Sequence, residues 1–158
     1  MVSLIEIYTD GSSRGNPGPG GYGIVLSYNG NEKEISEGFR KTTNNRMELL
    51  AVIVALESLK TTKIPVKIYS DSKYVIDAIT KGWLKTWIQK NFKGKKNKDL
   101  WLRYHEISKQ YQVTFEWVKG HAGNIKNERC DVLAVEASKN SNLSIDQNYE
   151  SGEEKGLF

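Results

Sequence analysis

This 158-residue chain is short of cysteine, of long apolar runs and, over one stretch, of acidic residues. Its one cysteine, Cys130, excludes an internal disulfide and suits a reducing compartment. The longest apolar run, Leu49 to Leu56, is far shorter than the ~20 residues that cross a bilayer. Met1-Val2-Ser3-Leu4-Ile5-Glu6 has neither the basic start nor the apolar core of a signal peptide. A soluble cytoplasmic protein with no membrane partner is therefore expected. Between Asp77 and Asp99 there are no acids but seven lysines: Lys81, Lys85, Lys90, Lys93, Lys95, Lys96 and Lys98. With a net charge of only +4, the rest of the chain is net negative. So localised a positive segment predicts contact with a polyanion.

A length of 158 residues, 38% hydrophobic with four tryptophans, suits one domain with a real core. Strands are expected at 3–10, 22–28 and 32–41, the last two joined by the hairpin turn Asn29-Gly30-Asn31. A helix over 45–60 leads, past Pro65, to a strand at 66–70. Short helices at 72–80 and 83–90, a helix at 99–110, a strand at 112–118 and a helix at 126–139 complete the order. Strand, helix, strand implies a parallel crossover. The fold class is thus α/β, a five-stranded mixed sheet in which an antiparallel meander precedes a parallel crossover, flanked by helices. Residues 1–140 form the domain, with 81–98 a basic protrusion within it. Residues 141–158 are acidic, show no apolar period, and are expected to be a mobile tail.

Gly18-x-Gly20-x-x-Gly23 has the spacing of a dinucleotide fingerprint, but its context is wrong. That motif needs a strand before the glycines and a helix opening among them, whereas Pro17 and Pro19 interrupt the loop and a strand follows.

Four acids stand where strands end or helices run: Asp10 in Tyr8-Thr9-Asp10-Gly11, Glu48 opening an apolar helix, Asp71 in Ser70-Asp71-Ser72, and Asp131 in Arg129-Cys130-Asp131-Val132. Each has an ordinary structural reading. Asp10 could form a turn, Asn45-x-x-Glu48 imitates a capping box, Asp71 could cap its helix, and Asp131 could face solvent. Together they could converge on a divalent metal.

Thr9-Asp10-Gly11-Ser12 with Gly15-Asn16-Pro17-Gly18-Pro19-Gly20, Thr42-Thr43-Asn44-Asn45-Arg46-Met47-Glu48-Leu49, Ser70-Asp71-Ser72-Lys73-Tyr74-Val75 and Trp117-Val118-Lys119-Gly120-His121-Ala122-Gly123 with Asn127-Glu128-Arg129-Cys130-Asp131 resemble, in order, type 1 ribonuclease H of the bacterial kind. The resemblance implies endonucleolytic hydrolysis of the RNA strand of an RNA–DNA hybrid, leaving 5′-phosphate and 3′-hydroxyl ends. It also implies two Mg²⁺ ions, ~3.5–4 Å apart, with Mn²⁺ a possible substitute. Hard oxygen ligands suit such ions, and there is no Cys/His cluster of the kind zinc uses.

Carried over, Asp10 should bridge both ions, Asp131 should serve the attacking-water side, and Glu48 and Asp71 the leaving-group side. His121, in a glycine-flanked loop, should carry protons or release product. Ser13, Asn16, Asn44 and Asn45 suit recognition of a ribose 2′-hydroxyl. Lys41, Thr43, Asn44 and Asn97 should hold a DNA-strand phosphate. Trp83, Trp87 and Phe92, interleaved with Lys85, Lys90, Lys95 and Lys96, resemble the family's basic protrusion, which contacts the DNA strand. Glu128 is expected to be a solvated acid. The rival reading is a non-catalytic hybrid-binding module or another nuclease of the same fold, and a monomer is the default.

Overall fold

The computed structural model describes residues 3–120 and 123–155. The chain runs β1 (Ile5–Ser13), β2 (Gly18–Tyr28), β3 (Asn31–Thr42), α1 (Asn44–Glu57), β4 (Val66–Ser70), α2 (Lys73–Thr80), α3 (Trp83–Gln89), α4 (Lys98–Ser108), β5 (Val113–Trp117), α5 (Ile125–Ser138) and α6 (Gln147–Lys155). The strands form one sheet in the order β3-β2-β1-β4-β5. The β1–β2 and β2–β3 pairs are antiparallel, while β1–β4 and β4–β5 are parallel. This is the expected mixed sheet. Asn29 and Gly30 both take positive φ, 50° and 80°, as a two-residue hairpin turn with the right twist requires.

Alternation along β1 sends Ile5, Ile7 and Thr9 to one face and Glu6, Tyr8 and Asp10 to the other. Ile5 and Ile7 join Tyr22, Ile24 and Ile68 in the core beneath α1, with Thr9 buried beside them. That helix starts at Thr43, whose Oγ1 accepts the Arg46 N–H at 3.2 Å, and it is apolar nearly all round. It can be so because the sheet lies on one side and Leu100, Trp101 and Tyr104 of α4 belong to the same core. Burying each such large side chain contributes ~1.5–3 kcal/mol.

Two glycines set how closely helices approach β1 and β2. A Cβ on Gly11 would collide with the backbone of Met47 and Glu48, and one on Gly23 with the Cys130 carbonyl. Gly23 pairs with Asp10, so it shares a face with that residue, whereas Gly11 faces the opposite way. Hence α1 over β1 and α5 over β2 press backbone to backbone on opposite faces of the sheet. Glu48 and Asp131 are thereby carried to Asp10.

The structure corrects the sequence reading at two places. The Gly/Pro-rich stretch is mostly strand: Ser13 pairs with Gly20 and Gly18 with Thr42, leaving only 14–17 as the connection. Ladder bonds need no side chains, so the glycines are tolerated there. The stretch after Asn140 is also docked, where a mobile tail was expected. Ser144 pairs with the edge of β3, accepting the Arg40 N–H at 3.0 Å and donating its own to the Gly38 carbonyl at 2.9 Å. Asp146 is buried against Arg46, and Gln147–Lys155 form α6. Backbone pairing, side-chain hydrogen bonds and the Arg46–Asp146 and Arg40–Glu150 ion pairs hold this segment, and none of them leaves an apolar period to read. Among the described residues no helix is long and apolar enough to cross a membrane.

Candidate active site

Asp10 lies near the end of β1 and Asp71 immediately follows β4. Those strands are parallel neighbours, so both acids emerge at the same sheet end. Glu48 enters from the first turns of α1. One oxygen from each of Asp10, Glu48 and Asp71 lies within 4.8 Å of the others. Asp131, on α5, lines the same cavity of ~430 Å³ without belonging to that three-oxygen group. The Gly11 N–H is shared, donating to Asp10 Oδ1 at 2.9 Å and to Glu48 Oε1 at 2.5 Å. Trp117 donates its indole N–H to the Asp71 carbonyl at 3.2 Å, and the Lys73 ammonium sits 4.7 Å from the centre of the Trp117 ring.

Burial pushes the Asp10 carboxyl up to about 7, the charges of Asp71 and Asp131 adding to the rise while the Glu48 hydrogen bond and Gly11 N–H oppose it. Glu48 is held well above the ordinary carboxylate range by burial and then by the Asp10 charge. Crowded, under-compensated oxygens of this kind fit a divalent cation of the hard class, and no Cys or His belongs to the group.

Several of the expected substrate residues stand around this pocket. Asn44 accepts from the Ser13 N–H at 2.6 Å and its hydroxyl at 3.2 Å, and donates its own N–H to Asn16 Oδ1 at 3.2 Å. Asn45 lines both the acidic cavity and a second one of ~330 Å³. That second cavity is walled by Tyr74, Trp83, Trp87, Lys95, Lys96 and Asn97. Sharing Asn45 and Tyr74 in their walls, the two adjoin, and the second forms a basic aromatic channel beside the acids. Trp83 is 43% exposed, whereas Trp87 packs edge-on against buried Trp101 at 5.7 Å with the Lys95 ammonium at 5.4 Å from its ring.

Other expected residues are placed differently. Lys85 and Lys90 are exposed on or beside α3 but do not line the channel. Phe92 is buried and anchors its loop, so it offers no surface to a ligand. Thr43 is the α1 cap, Lys41 stands half-buried near the end of β3, and Glu128 is exposed. His121 lies outside the described residues. Sequence reasoning assigned no role to Lys73, Tyr74 or Arg46, although all three stand inside motifs it singled out.

The RNase H family model matches residues 3–139, nearly the whole folded domain. The chain belongs to the RNase H family. It is accordingly a hydrolytic endoribonuclease whose acidic cluster suits the divalent metal ions that RNase H enzymes use. Ribonuclease H of Rippkaea orientalis is 55% identical over 152 residues, 93% of each chain. Ribonuclease H of Desulforamulus reducens is 55% identical over 147 residues, covering 90% of this chain and 92% of that protein. Among solved structures, LC9-RNase H1, a type 1 RNase H with the type 2 active-site motif, superposes with a TM-score of 0.80 at 33% identity, covering 91% of this chain and 76% of that one. LC11-RNase H1, solved in complex with an RNA/DNA hybrid, gives a TM-score of 0.65 at 31% identity, with 85% and 96% covered.

The raised Asp10 and Glu48 carboxyls predict how this RNase H behaves without metal. A carboxyl that holds its proton more tightly folded than unfolded stabilises the fold as pH falls through its folded value, here about 7, toward the ordinary 3.8. Metal-free protein should therefore melt higher at pH 5.5 than at pH 8, by on the order of 5 °C. Asp99, Glu34 and Glu150 are held below their ordinary values and stay ionised across that window. Calorimetry in chelator checks this, and a melting temperature that rises with pH would contradict it.

Proposed function

We propose that this protein cuts the RNA strand of RNA–DNA hybrids endonucleolytically, using two Mg²⁺ ions and leaving 5′-phosphate and 3′-hydroxyl ends. The observation that carries the reading is the convergence of Asp10, Glu48 and Asp71 within 4.8 Å, with Asp131 on the same cavity and a basic aromatic channel beside it. Bound divalent ions supply Lewis-acid activation of water and neutralise charge on the departing oxygen. Within this reading Asp10 would be shared between the ions, Asp131 would serve the attacking-water side, and Glu48 and Asp71 would serve the leaving-group side. His121 carries protons or releases product.

Strand discrimination falls to the neutral side chains. Asn44 and Asn16 each have their Oδ1 occupied by an internal donor, which leaves the Nδ2 hydrogens to offer. Two outward amide donors beside the acids suit the 2′-hydroxyl oxygen and adjacent phosphates of a ribose strand. Ser13 and Asn45 complete this edge. Lys41, Thr43, Asn44 and Asn97 receive a DNA phosphate, and Trp83, Trp87, Lys85, Lys90, Lys95 and Lys96 carry the rest of the DNA strand. A cytoplasmic monomer is the setting of this reading, and buried Cys130 supports a reducing compartment.

Labelled RNA–DNA hybrid, double-stranded RNA and double-stranded DNA, each incubated with Mg²⁺ and with chelator, test the reading. Only hybrid RNA should be cut, and only with metal. Cleavage of either homoduplex at a comparable rate, or cleavage in chelator, would sink it.

A further inference from the structure

The docked C-terminal segment lines neither the acidic cavity nor the channel beside it, yet hydrogen bonds join it to their wall. The Arg46 side chain is 4% exposed and all five of its N–H donors are engaged. Nε and one Nη2 hydrogen go to the two oxygens of Asp146 at 2.7 and 2.9 Å. The other Nη2 hydrogen and one from Nη1 go to Asp99 at 2.8 and 2.9 Å, and the last reaches Asn97 Oδ1 at 3.3 Å. Asp146 is held in turn by the Thr42 hydroxyl at 2.8 Å.

With its oxygen turned to Arg46, Asn97 presents Nδ2 to the Tyr74 hydroxyl at 3.0 Å. Trp101 Nε1 donates to that same hydroxyl at 2.8 Å. Both acceptor positions of the Tyr74 oxygen are thus filled, so its own hydrogen must serve as a donor. Tyr74 lines the acidic cavity and the channel, and Asn97 lines the channel.

We propose that Asp146 is a positioning residue for substrate binding: by fixing the Arg46 fork it orients Asn97, and through it Tyr74, as donors to a backbone phosphate of the hybrid. The inference rests on the hybrid-cleaving reading of the site. Asp146 lies beyond residue 139, where the family match ends, so the domain's substrate wall is completed from outside the matched region. Loss of the Asp146 charge leaves Asp99 as the sole anion on Arg46. The guanidinium then turns toward Asp99 and withdraws Nη1 from Asn97, because charged hydrogen bonds outweigh neutral ones.

Steady-state cleavage of hybrid with Mg²⁺ tests this on the full chain, at a temperature where melting curves show every variant folded. Asp146→Asn should raise KM about tenfold, equivalent to one lost charge-assisted contact, and leave kcat within about twofold. Asn97→Ala should raise KM similarly, and the double variant should be no worse than Asn97→Ala alone, since both act on one path. Glu150→Gln, which breaks the exposed Arg40–Glu150 pair of the same segment, should leave KM unchanged. If Asp146→Asn does not fold, Arg46→Lys keeps the charge, loses the fork and must show the same rise. A KM within twofold of the parent for the folded Asp146 or Arg46 variant overturns the proposal. So do multiplicative effects in the double variant, or an equal KM rise in Glu150→Gln. A parent protein that does not cut hybrid refutes the reading of the site instead.

Discussion

Asp10→Asn is expected to abolish cleavage, lowering single-turnover rates at least ~10³-fold, while affinity for uncut hybrid stays within about twofold. Asp10 is 6% exposed and central among the acids, its carboxylate oriented by the Gly11 N–H at 2.9 Å. An asparagine keeps the shape but replaces one anionic oxygen with a donor, so the cluster loses charge where a cation must be held. The groups proposed to hold the hybrid stand elsewhere, on Asn44, Asn45 and the channel beyond. The same change relieves repulsion with Asp71 and Asp131, so the metal-free variant should melt above the parent at pH 8. Anisotropy with labelled hybrid alongside quenched-flow cleavage separates the two effects. Retained turnover would remove Asp10 from the site.

Replacing Lys85, Lys90, Lys95 and Lys96 together with alanine is the second large effect. The measurement is best made in the Asp10→Asn background, where substrate survives. Each phosphate contact contributes about 0.9 to the slope of log affinity against log salt. Lys95 and Lys96 line the channel, while Lys85 and Lys90 stand exposed outside it. The slope should therefore fall by about 2 if only the channel lysines touch phosphate, and toward about 4 if all do. Affinity near 0.1 M salt should drop by on the order of 10²-fold. The Trp87 ring, left without the Lys95 ammonium over it, remains packed on Trp101, so folding should be unaffected. An unchanged slope would take this segment out of the interface.

How far these residues could be read from sequence depended on the kind of interaction that places them. Asp10 and Asp71 were legible because alternating apolar strands end at them, and the parallel pairing of β1 with β4 turns that shared position into proximity. Glu48 and Asp131 were legible as motif members, but their approach depends on Gly11 and Gly23, whose role is to be absent as side chains. No periodicity records that. Thr43 and Asn97 show the limit differently. The former is the α1 cap, and the latter is tied on both ends, to Arg46 and Tyr74, before any ligand arrives. The C-terminal segment escaped because Ser144 and Asp146 bind through backbone and charge, signals indistinguishable in sequence from a solvated acidic tail.

The four acids are contributed at positions 10, 48, 71 and 131, so the pocket spans most of the chain's synthesis. Asp10 and Asp71 meet only after the β1–α1–β4 crossover has closed, a slow kind of contact to form. The fourth wall of the pocket arrives 60 residues later still, with α5. A chain still emerging from the ribosome therefore lacks Asp131, and with it one wall of the acidic pocket. Translation order thus leaves the acidic pocket one wall short until the last long helix, α5, has docked on β1 and β2.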